Sequence, residues 1–477
     1  MISSAQRVPV TSTALRMHLR GRSDITPDDE TNHLTHLGVS SSTQEHVPET
    51  LIASSLALHN QDLVDVMFEL EPFQADNLAS LAFNMALGGL VHPLHENELK
   101  HLRKKKVGIY GPRQWDTPFL SEKLPFTFSS LLSPVAIQKV IRNDIGGENY
   151  FRFTSSYGSS LDDTAAIIEL LDNITNPRFT SPGAVVQMTS PSINCTKNWN
   201  PSWENDCMLS QSNVQVTVAP RGQAFELEYH EHYFSTTLFT GSKVFLAFPP
   251  HITNLDHMRR TFQGKRTRLP TLGILREMQQ GIAIIQKRGQ VLLIPPFWSI
   301  MTFCTETSVS AGFFVATASA FMSRIHNMDL WLSECLFWPT LAQRQAQLVP
   351  YVEELAGHFS DIMSDDVKQS KPAKSVQRAI CLEWVKFSTD KDGEKYESMQ
   401  EKVGELLGCI LDDGTRMRLA SVFVEVWVRF CEVKREKNST CRICGVRVDK
   451  LPQDNGEAPD TKLKMHVKSV HCHFDLS

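Results

Sequence analysis

The sequence lacks any long hydrophobic run. No stretch of the 477 residues approaches the roughly 18 consecutive apolar residues that a membrane-spanning helix requires. The N-terminal stretch also has no apolar core of the length found in secretory signal peptides. We therefore expect no membrane partner and an intracellular location, either nuclear or cytoplasmic. An N-terminus with Arg and Ser but few early acids also permits a mitochondrial presequence.

A strong net charge is also absent. The chain has 48 Lys and Arg residues against 53 Asp and Glu residues, a net charge of -5, so overall basicity does not indicate a nucleic acid or an anionic membrane. In an intracellular protein the ten cysteines are expected to be reduced or metal-bound rather than paired as disulfides. A composition of 41% hydrophobic and 21% charged residues is typical of a globular protein of two or three domains.

Composition and periodicity divide the chain into five segments. Residues 1–50 are rich in Ser, Thr, His and Asp and are predicted to be disordered, because they cannot bury enough apolar surface. Residues 51–145 predict a helical N-terminal region, and residues 146–327 contain most of the strand-like stretches. Residues 328–436 have a helical period, and residues 437–477 carry closely spaced Cys and His. The expected fold class is α+β.

Two stretches within 146–327 carry the residues that point to a function. The first, Glu226 to Pro250, has apolar strands around His230 and His232, which would point to one face of a strand. Gly241 and then Lys243 follow, at a turn before the strand VFLAF.

The second stretch has its own glycine and proline punctuation. Gly289 is followed by an apolar strand, then by Pro295 and Trp298, and a new strand begins after Trp298. Together the two stretches resemble the Jumonji C (JmjC) domain, the iron- and 2-oxoglutarate-dependent oxygenase branch of the cupins. The resemblance implies a double-stranded β-helix barrel flanked by helices.

The resemblance also implies a set of ligands. Iron(II) would be held by His230 with His232 or Glu228, and 2-oxoglutarate would be bound by Lys243. However, the distal His of the family falls on Ile300, which cannot bind a metal. Non-haem iron(II) needs two His and one carboxylate. An active enzyme and an inactive one therefore both remain open.

The direction of the candidate ligands along a strand matters as well. On an extended strand Glu228, His230 and His232 share one face, whereas Glu231 points away. From Glu228 to His232 an extended strand spans about 13 Å, at ~3.3 Å per residue. Ligands spread over that span would not converge on one ion without a bulge. The sequence therefore predicts weak iron binding or none. A surface role for Lys243 and ordinary polar roles for both histidines are the alternatives.

The insertion between the two stretches is basic. Five cations occur there with no acid between them: Arg259, Arg260, Lys265, Arg266 and Arg268. In the resembled fold this insertion lies beside the barrel mouth, where it could contact the phosphates of a nucleic acid. A solvated loop is the alternative. The cluster at 103–106 similarly permits a nuclear-localisation signal or a solvated helix end.

The tail contains a metal-ligand pattern. Two residues separate Cys441 from Cys444, and Leu463 precedes His466 and His471 on a predicted helix. This pattern resembles a C2H2 zinc finger. Two thiolates and two imidazoles would give zinc a closed tetrahedral shell, which is the arrangement of structural sites.

The finger departs from the common pattern in its spacing. Between Cys444 and His466 lie 21 residues, against about 12 in the common finger, so a turn-forming insertion is expected there. Cys472 or His473 could replace His471 as a ligand. A protein-binding or stabilising role is at least as well supported as DNA binding, because one finger reads only about three base pairs.

Three functions follow from these observations. The first is a JmjC domain-containing regulator in the nucleus or on chromatin, with an impaired or absent iron and 2-oxoglutarate site and a protein or histone partner. The second is an active iron(II)- and 2-oxoglutarate-dependent protein hydroxylase or histone demethylase. The third is a zinc-finger DNA-binding regulator.

Overall fold

The computed structural model describes a set of ranges with gaps between them. The described residues are 91–93, 118–121, 133–146, 151–155, 160–178, 184–193, 208–262, 274–275, 277–364, 371–384, 388–389, 395–396, 398–433, 440–447, 459–472 and 474. The predicted disorder of 1–50, the predicted helices in 51–90, the basic cluster 103–106, and Lys265, Arg266, Arg268 and His473 lie outside the described residues.

In the described residues, strands predominate as far as Thr317 and helices predominate after it. The strands are β1 (Val91–Pro93), β2 (Phe119–Ser121), β3 (Phe151–Ser155), β4 (Ala184–Met188), β5 (Met208–Gln211), β6 (Gln215–Ala219), β7 (Glu228–Tyr229), β8 (Tyr233–Thr240), β9 (Ser242–Phe248), β10 (Gly281–Lys287), β11 (Val291–Ile294), β12 (Ser299–Cys304), β13 (Ser308–Thr317), β14 (Ser388–Thr389), β15 (Lys395–Tyr396), β16 (Glu432–Val433) and β17 (Thr440–Cys441). The helices are α1 (Pro134–Gly146), α2 (Ser160–Asn173), α3 (Ile252–Phe262), α4 (Ala318–His326), α5 (Met328–Phe337), α6 (Leu341–Met363), α7 (Lys371–Trp384), α8 (Met399–Gly408), α9 (Asp413–Cys431) and α10 (Pro459–His471).

Most of the strands form two sheets. The five-stranded sheet has the order β1-β10-β9-β12-β7, and the eight-stranded sheet has the order β2-β11-β8-β13-β6-β4-β3, with β5 also paired to β13. The pairings are antiparallel except for β1 with β10. The predicted α+β class is confirmed, and the sheets draw their edge strands β1 and β2 from the region expected to be helical.

Apolar side chains from both sheets meet in the space between them. Phe245 and Ala247 of β9 share one cluster with Leu292 and Ile294 of β11. These residues alternate along each strand, as expected where one face is buried against a second sheet. We call this layer the sandwich core.

Helices cover the outer faces of the two sheets. On the five-stranded sheet, Leu246 and Phe248 pack with Leu255 and Met258 of α3. On the eight-stranded sheet, helices α1 and α2 contribute to a third cluster, together with side chains of β4, β6 and β13. The sheets therefore form the two central layers, with helices outside each.

The C-terminal helices build a separate core, which we call the helical body. Phe359, Trp384 and Trp427 stack at its centre, with ring centroids 5.1 Å apart for Phe359–Trp384 and 4.8 Å for Trp384–Trp427. Leu463 and Val467 of α10 are buried in the same cluster. The tail therefore packs into the helical body instead of forming an isolated finger.

One predicted boundary differs from the structure. The helical region begins at Ala318, ahead of the predicted Met328, because the Thr317 side chain caps a helix by accepting a bond from the Ala320 amide.

Candidate metal centres

The tail brings its four predicted ligands together. Ligand atoms of Cys441, Cys444, His466 and His471 all lie within 4.8 Å of one another, and Cys444 Sγ is 3.3 Å from His466 Nε2. In a tetrahedral zinc site with ~2.1–2.3 Å bonds, neighbouring ligand atoms are about 3.3–3.8 Å apart. A small inward movement of the side chains would therefore complete the shell.

Local backbone geometry places the two cysteines. Strands β16 and β17 pair, and the amide of Gly445 donates to the carbonyl of Cys441 at 2.8 Å, which closes the turn that contains Cys444. Gly445 has φ +69°, a conformation that most other residues adopt only with strain. This turn brings Cys444 back towards the α10 histidines.

Burial indicates that the cluster fits a metal ion. Cys441 is 1% exposed and His471 is 6% exposed, and the His471 Nε2 atom is buried with no hydrogen-bond partner. A buried nitrogen without a partner is costly, and a bound ion would remove that cost. Cys472 is buried in the helical body and is not part of the four-ligand group, so the structure favours His471 over Cys472.

In the sandwich, the two candidate histidines do not lie on a strand. Strand β7 ends at Tyr229 and β8 begins at Tyr233, so His230 and His232 occupy the connecting turn. The expectation that both point to one face is therefore wrong, because the alternation of a strand does not apply in a turn. The same turn corrects the expected direction of Glu231, because its partner Arg324 also contacts Glu354, the partner of His232.

His230 faces aromatic rings. Its centroid is 5.1 Å from that of Phe234 and 4.7 Å from that of Phe314, and its Nε2 is 3.5 Å from a Glu228 oxygen. The turn is held by the Phe297 amide, which donates to the His230 carbonyl at 2.7 Å. The structure thus places a carboxylate oxygen of Glu228 beside the His230 ring.

His232 points to the helical body instead. Its Nε2 is 3.2 Å from an oxygen of Glu354 on α6. The same carboxylate oxygen lies 3.3 Å from Arg324 on α4, and Arg324 lies 3.2 Å from Glu231. We call Glu231, His232, Arg324, Tyr351, Glu354 and His358 the buried polar network.

Burial and charge set the protonation of this network. Burial raises the pKa of Glu231 to about 7, although Arg324 opposes the shift. Burial would also raise the pKa of Glu354, but the Arg324 guanidinium holds it well below its usual range. For His358, burial and then Arg324 lower the pKa to about 4. At neutral pH the network therefore holds one Arg cation, an ionised Glu354 and neutral imidazoles, and the pKa of Glu231 lies close to neutrality.

Together with Ser210, the buried polar network has the residue types of a hydrolytic triad, but the hydrogen bond between Ser210 and His358 runs in the wrong direction for catalysis. His358 Nε2 lies 3.0 Å from Ser210 Oγ, and His358 Nδ1 lies 3.3 Å from Arg324. A guanidinium only donates, so Nδ1 must accept and Nε2 must carry the proton. The imidazole then donates to Ser210 and cannot remove its proton, which excludes Ser210 as an activated nucleophile.

Ile300 is part of the sandwich core. It is 1% exposed, lies on β12 opposite Glu228 of β7, and shares its cluster with Ala247 and Trp298. The position that the resemblance gives to the distal His is therefore filled by an alkyl side chain among apolar neighbours. Among the described residues, the Cys/His cluster of the tail is the only group of three or more donors close enough to share an ion.

Lys243 is buried, contrary to the alternative of a surface lysine. It follows Gly241, which has a φ of +78°. A Cβ atom at Gly241 would lie only 2.3 Å from the Thr307 carbonyl oxygen, so this position admits no side chain. Lys243 Nζ donates to Ser310 Oγ across the sandwich at 2.7 Å, and burial lowers the pKa of its ammonium. No acidic partner of Lys243 is found among the described residues.

Two cations of the basic insertion are described, and both are paired. Arg259 contacts Asp256 at 2.8 Å and also Asp329, and Arg260 is 3.5 Å from Glu277. Within the described ranges these two guanidiniums are therefore partly neutralised by the chain's own acids.

Comparisons with known proteins assign no family. The sequence matches no protein-family model and no curated protein. In the described part of the chain, no helix has the length and apolar character needed to cross a bilayer.

Proposed function

We propose that this protein is a catalytically silent relative of the JmjC domain that acts as a regulatory binding protein in the nucleus. In this proposal the sandwich is a double-stranded β-helix without iron chemistry. The tail holds one structural zinc. The partner is a protein or a histone, bound without oxidation.

The strand order supports the double-stranded β-helix. Four strands of one sheet follow the order β6-β13-β8-β11, and four strands of the other follow β7-β12-β9-β10. Successive strands β6, β7, β8 and β9 alternate between the two sheets. This interleaving is the pattern of an eight-stranded jelly roll, the architecture that includes the cupins.

The absence of iron chemistry rests on one observation, the apolar burial of Ile300. With Ile300 in the distal position and His232 bonded to Glu354, the turn offers only His230 and Glu228 as neighbouring donors. Iron(II) in this class needs two imidazoles and a carboxylate. The residues present therefore do not fit that metal, and we derive no reaction step through it.

The zinc proposal rests on a different set of residues. Cys441, Cys444, His466 and His471 would hold the ion, and four protein donors leave no position open for a substrate. When bound, zinc would join the β16–β17 hairpin to α10. The hairpin and α10 both contribute buried residues to the helical body, so the site supports folding.

One observation favours the runner-up, an active 2-oxoglutarate-dependent hydroxylase or demethylase. Lys243 is buried in the sandwich at the position that the resemblance gives to the 2-oxoglutarate lysine. A buried ammonium without an acidic partner is a suitable ligand for a carboxylate. The zinc-finger DNA-binding alternative has weaker support, because the finger helix α10 is partly buried in the helical body.

A succinate assay separates these functions. We expect purified full-length protein supplied with iron(II), ascorbate and 2-oxoglutarate to release no more succinate than a His230→Ala variant. If the wild type forms succinate and His230→Ala does not, the proposal of a catalytically inactive protein is contradicted and an active oxygenase is supported. Lys243→Met, added to the panel, reports whether any turnover depends on the buried ammonium.

A further inference from the structure

The tail cluster is open to solvent on one side. Of the eight cysteines in the described part of the chain, Cys444 alone is exposed, whereas Cys441 is 1% exposed. His466 is partly exposed, and His471 is buried. A small oxidant can therefore reach the edge formed by Cys444 and His466 from solvent, without passing through the helical body.

A second thiol lies close to the exposed one. The Sγ atoms of Cys441 and Cys444 belong to the group of ligand atoms that lie within 4.8 Å of one another. The turn that holds them together is closed by the backbone, because the Gly445 amide donates to the Cys441 carbonyl at 2.8 Å. An accessible thiol beside a second, resolving thiol is the arrangement found in redox-sensitive cysteine pairs.

We propose that Cys441 and Cys444 are the site of a reversible oxidation, in which hydrogen peroxide joins the two sulfurs in a disulfide and so releases the metal ion. This inference rests on the zinc site of the proposed function. Zinc would lose two of its four donors, and the two histidines alone do not complete its shell. The β16–β17 hairpin would then no longer be joined to α10 through the ion.

The oxidation takes place in two steps on sulfur. The thiolate sulfur of Cys444 attacks one oxygen of the peroxide, the O–O bond breaks, and hydroxide leaves, which gives a sulfenic acid. The thiolate sulfur of Cys441 then attacks the Cys444 sulfur, the S–O bond breaks, and a second hydroxide leaves as the disulfide forms. Two protons from solvent convert both hydroxides to water. The two sulfurs lose two electrons in total, and the peroxide gains them.

The test follows zinc release from the zinc-loaded, full-length protein after addition of hydrogen peroxide. A chromophoric chelator reports the released zinc, and mass spectrometry of the intact protein and of its peptides identifies the product. We expect the wild type to release its zinc, to lose the mass of two hydrogen atoms, and to yield a peptide pair that links Cys441 to Cys444. Dithiothreitol with added zinc should restore the loaded protein.

The key variant is Cys444→His, which keeps four donors at the site but removes the exposed thiol. It should bind zinc and retain it in peroxide. Cys409→Ser, which removes a half-buried thiol outside the cluster, should release zinc as the wild type does.

Three results would count against this inference. If the wild type retains its zinc in peroxide, or releases it without a disulfide between Cys441 and Cys444, the inference is overturned and the zinc site stands. Release from Cys444→His at the wild-type rate would also overturn it, because another group would then be the one oxidised. A wild type that binds no zinc before peroxide is added would overturn both proposals.

Discussion

The chain contains two groups of metal-ligand residues, and the structure treats them in opposite ways. In the tail, two Cys and two His from a hairpin and a helix converge within 4.8 Å. In the sandwich, the turn after β7 separates His230, which faces Phe234 and Phe314, from His232, which is bonded to Glu354. The comparison teaches that close spacing in sequence does not make a site unless the backbone directs the side chains to one point.

The two groups also differ in what else can satisfy their donors. His471 Nε2 is buried without a partner, whereas His232 Nε2 already has a carboxylate neighbour in the buried polar network. In the sandwich, His232 Nδ1 and His230 Nε2 are also buried without a hydrogen-bond partner. A donor that has a partner must break that bond before it binds a metal. His471 Nε2 can therefore bind an ion without losing a hydrogen bond, whereas His232 Nε2 would first have to leave Glu354.

Removing the metal of the tail should have the largest effect. Cys441→Ser, or chelation of the wild type, should unfold the tail and destabilise the helical body, because Leu463 and Val467 lie in its core. Apparent zinc-binding energies of ~10–16 kcal/mol in isolated fingers indicate a loss of several kcal/mol here. Thermal unfolding with and without chelator measures the loss. Cys409→Ser, a half-buried thiol outside the cluster, is the control, and a chelator that leaves unfolding unchanged would contradict the prediction.

Removing the cation of the buried polar network should rank second. Arg324→Met leaves Glu231 and Glu354 buried with no cation between them, which costs about 3–5 kcal/mol of unfolding free energy. The matched control is Arg418→Met, which breaks an exposed pair with Glu353 and should cost less than about 1 kcal/mol. Denaturant titrations measure the unfolding free energy of both variants. If Arg324→Met loses no more unfolding free energy than Arg418→Met, the network adds no stability to the sandwich turn.

Substituting His358, one of the two histidines of the network, should change the unfolding free energy by a smaller amount that depends on pH. The folded protein holds the pKa of His358 at about 4, below its unfolded value of 6.5, so the unfolded chain binds more protons between these limits. The contribution of His358 to stability is therefore present above pH 6.5 and is lost as the pH falls towards 4. Its full size is about 3 kcal/mol. His358→Gln should remove that part of the pH dependence of the unfolding free energy. If plots of unfolding free energy against pH run parallel for the wild type and the variant, the lowered pKa of His358 is contradicted.

Restoring a donor in the sandwich should have the smallest effect on stability. Ile300→His places an imidazole opposite Glu228, at a cost of roughly 1–3 kcal/mol for burying a polar ring among apolar side chains. We expect this variant to retain iron(II) through gel filtration where the wild type does not. Ile300→Gln controls for polarity alone. Failure of Ile300→His to bind iron would mean that the missing donor is not what prevents binding.

The sequence predicted the tail site better than the sandwich site, for physical reasons. The Cys-x2-Cys spacing and two histidines on one helix are local patterns, and the structure confirms that they converge. The apolar strands, the Gly241 turn and the position of Ile300 are also local. By contrast, Arg324 and Glu354 lie about 90 to 120 residues beyond His232, and no spacing rule relates side chains so far apart.

The turn at His230 was missed because its residues look like part of a strand. Tyr229 and Tyr233 are typical strand residues, and the three residues between them contain neither Gly nor Pro to signal the break.

The central claim is that the chain holds one structural metal in its tail and none in its sandwich. Metal analysis of the full-length protein, after incubation with both zinc and iron(II) and removal of free metal, tests it most directly. The account predicts about one zinc per chain, lost in Cys441→Ser, and iron no higher than in His230→Ala. Iron at one per chain that His230→Ala removes, or zinc retained in full by Cys441→Ser, would contradict it.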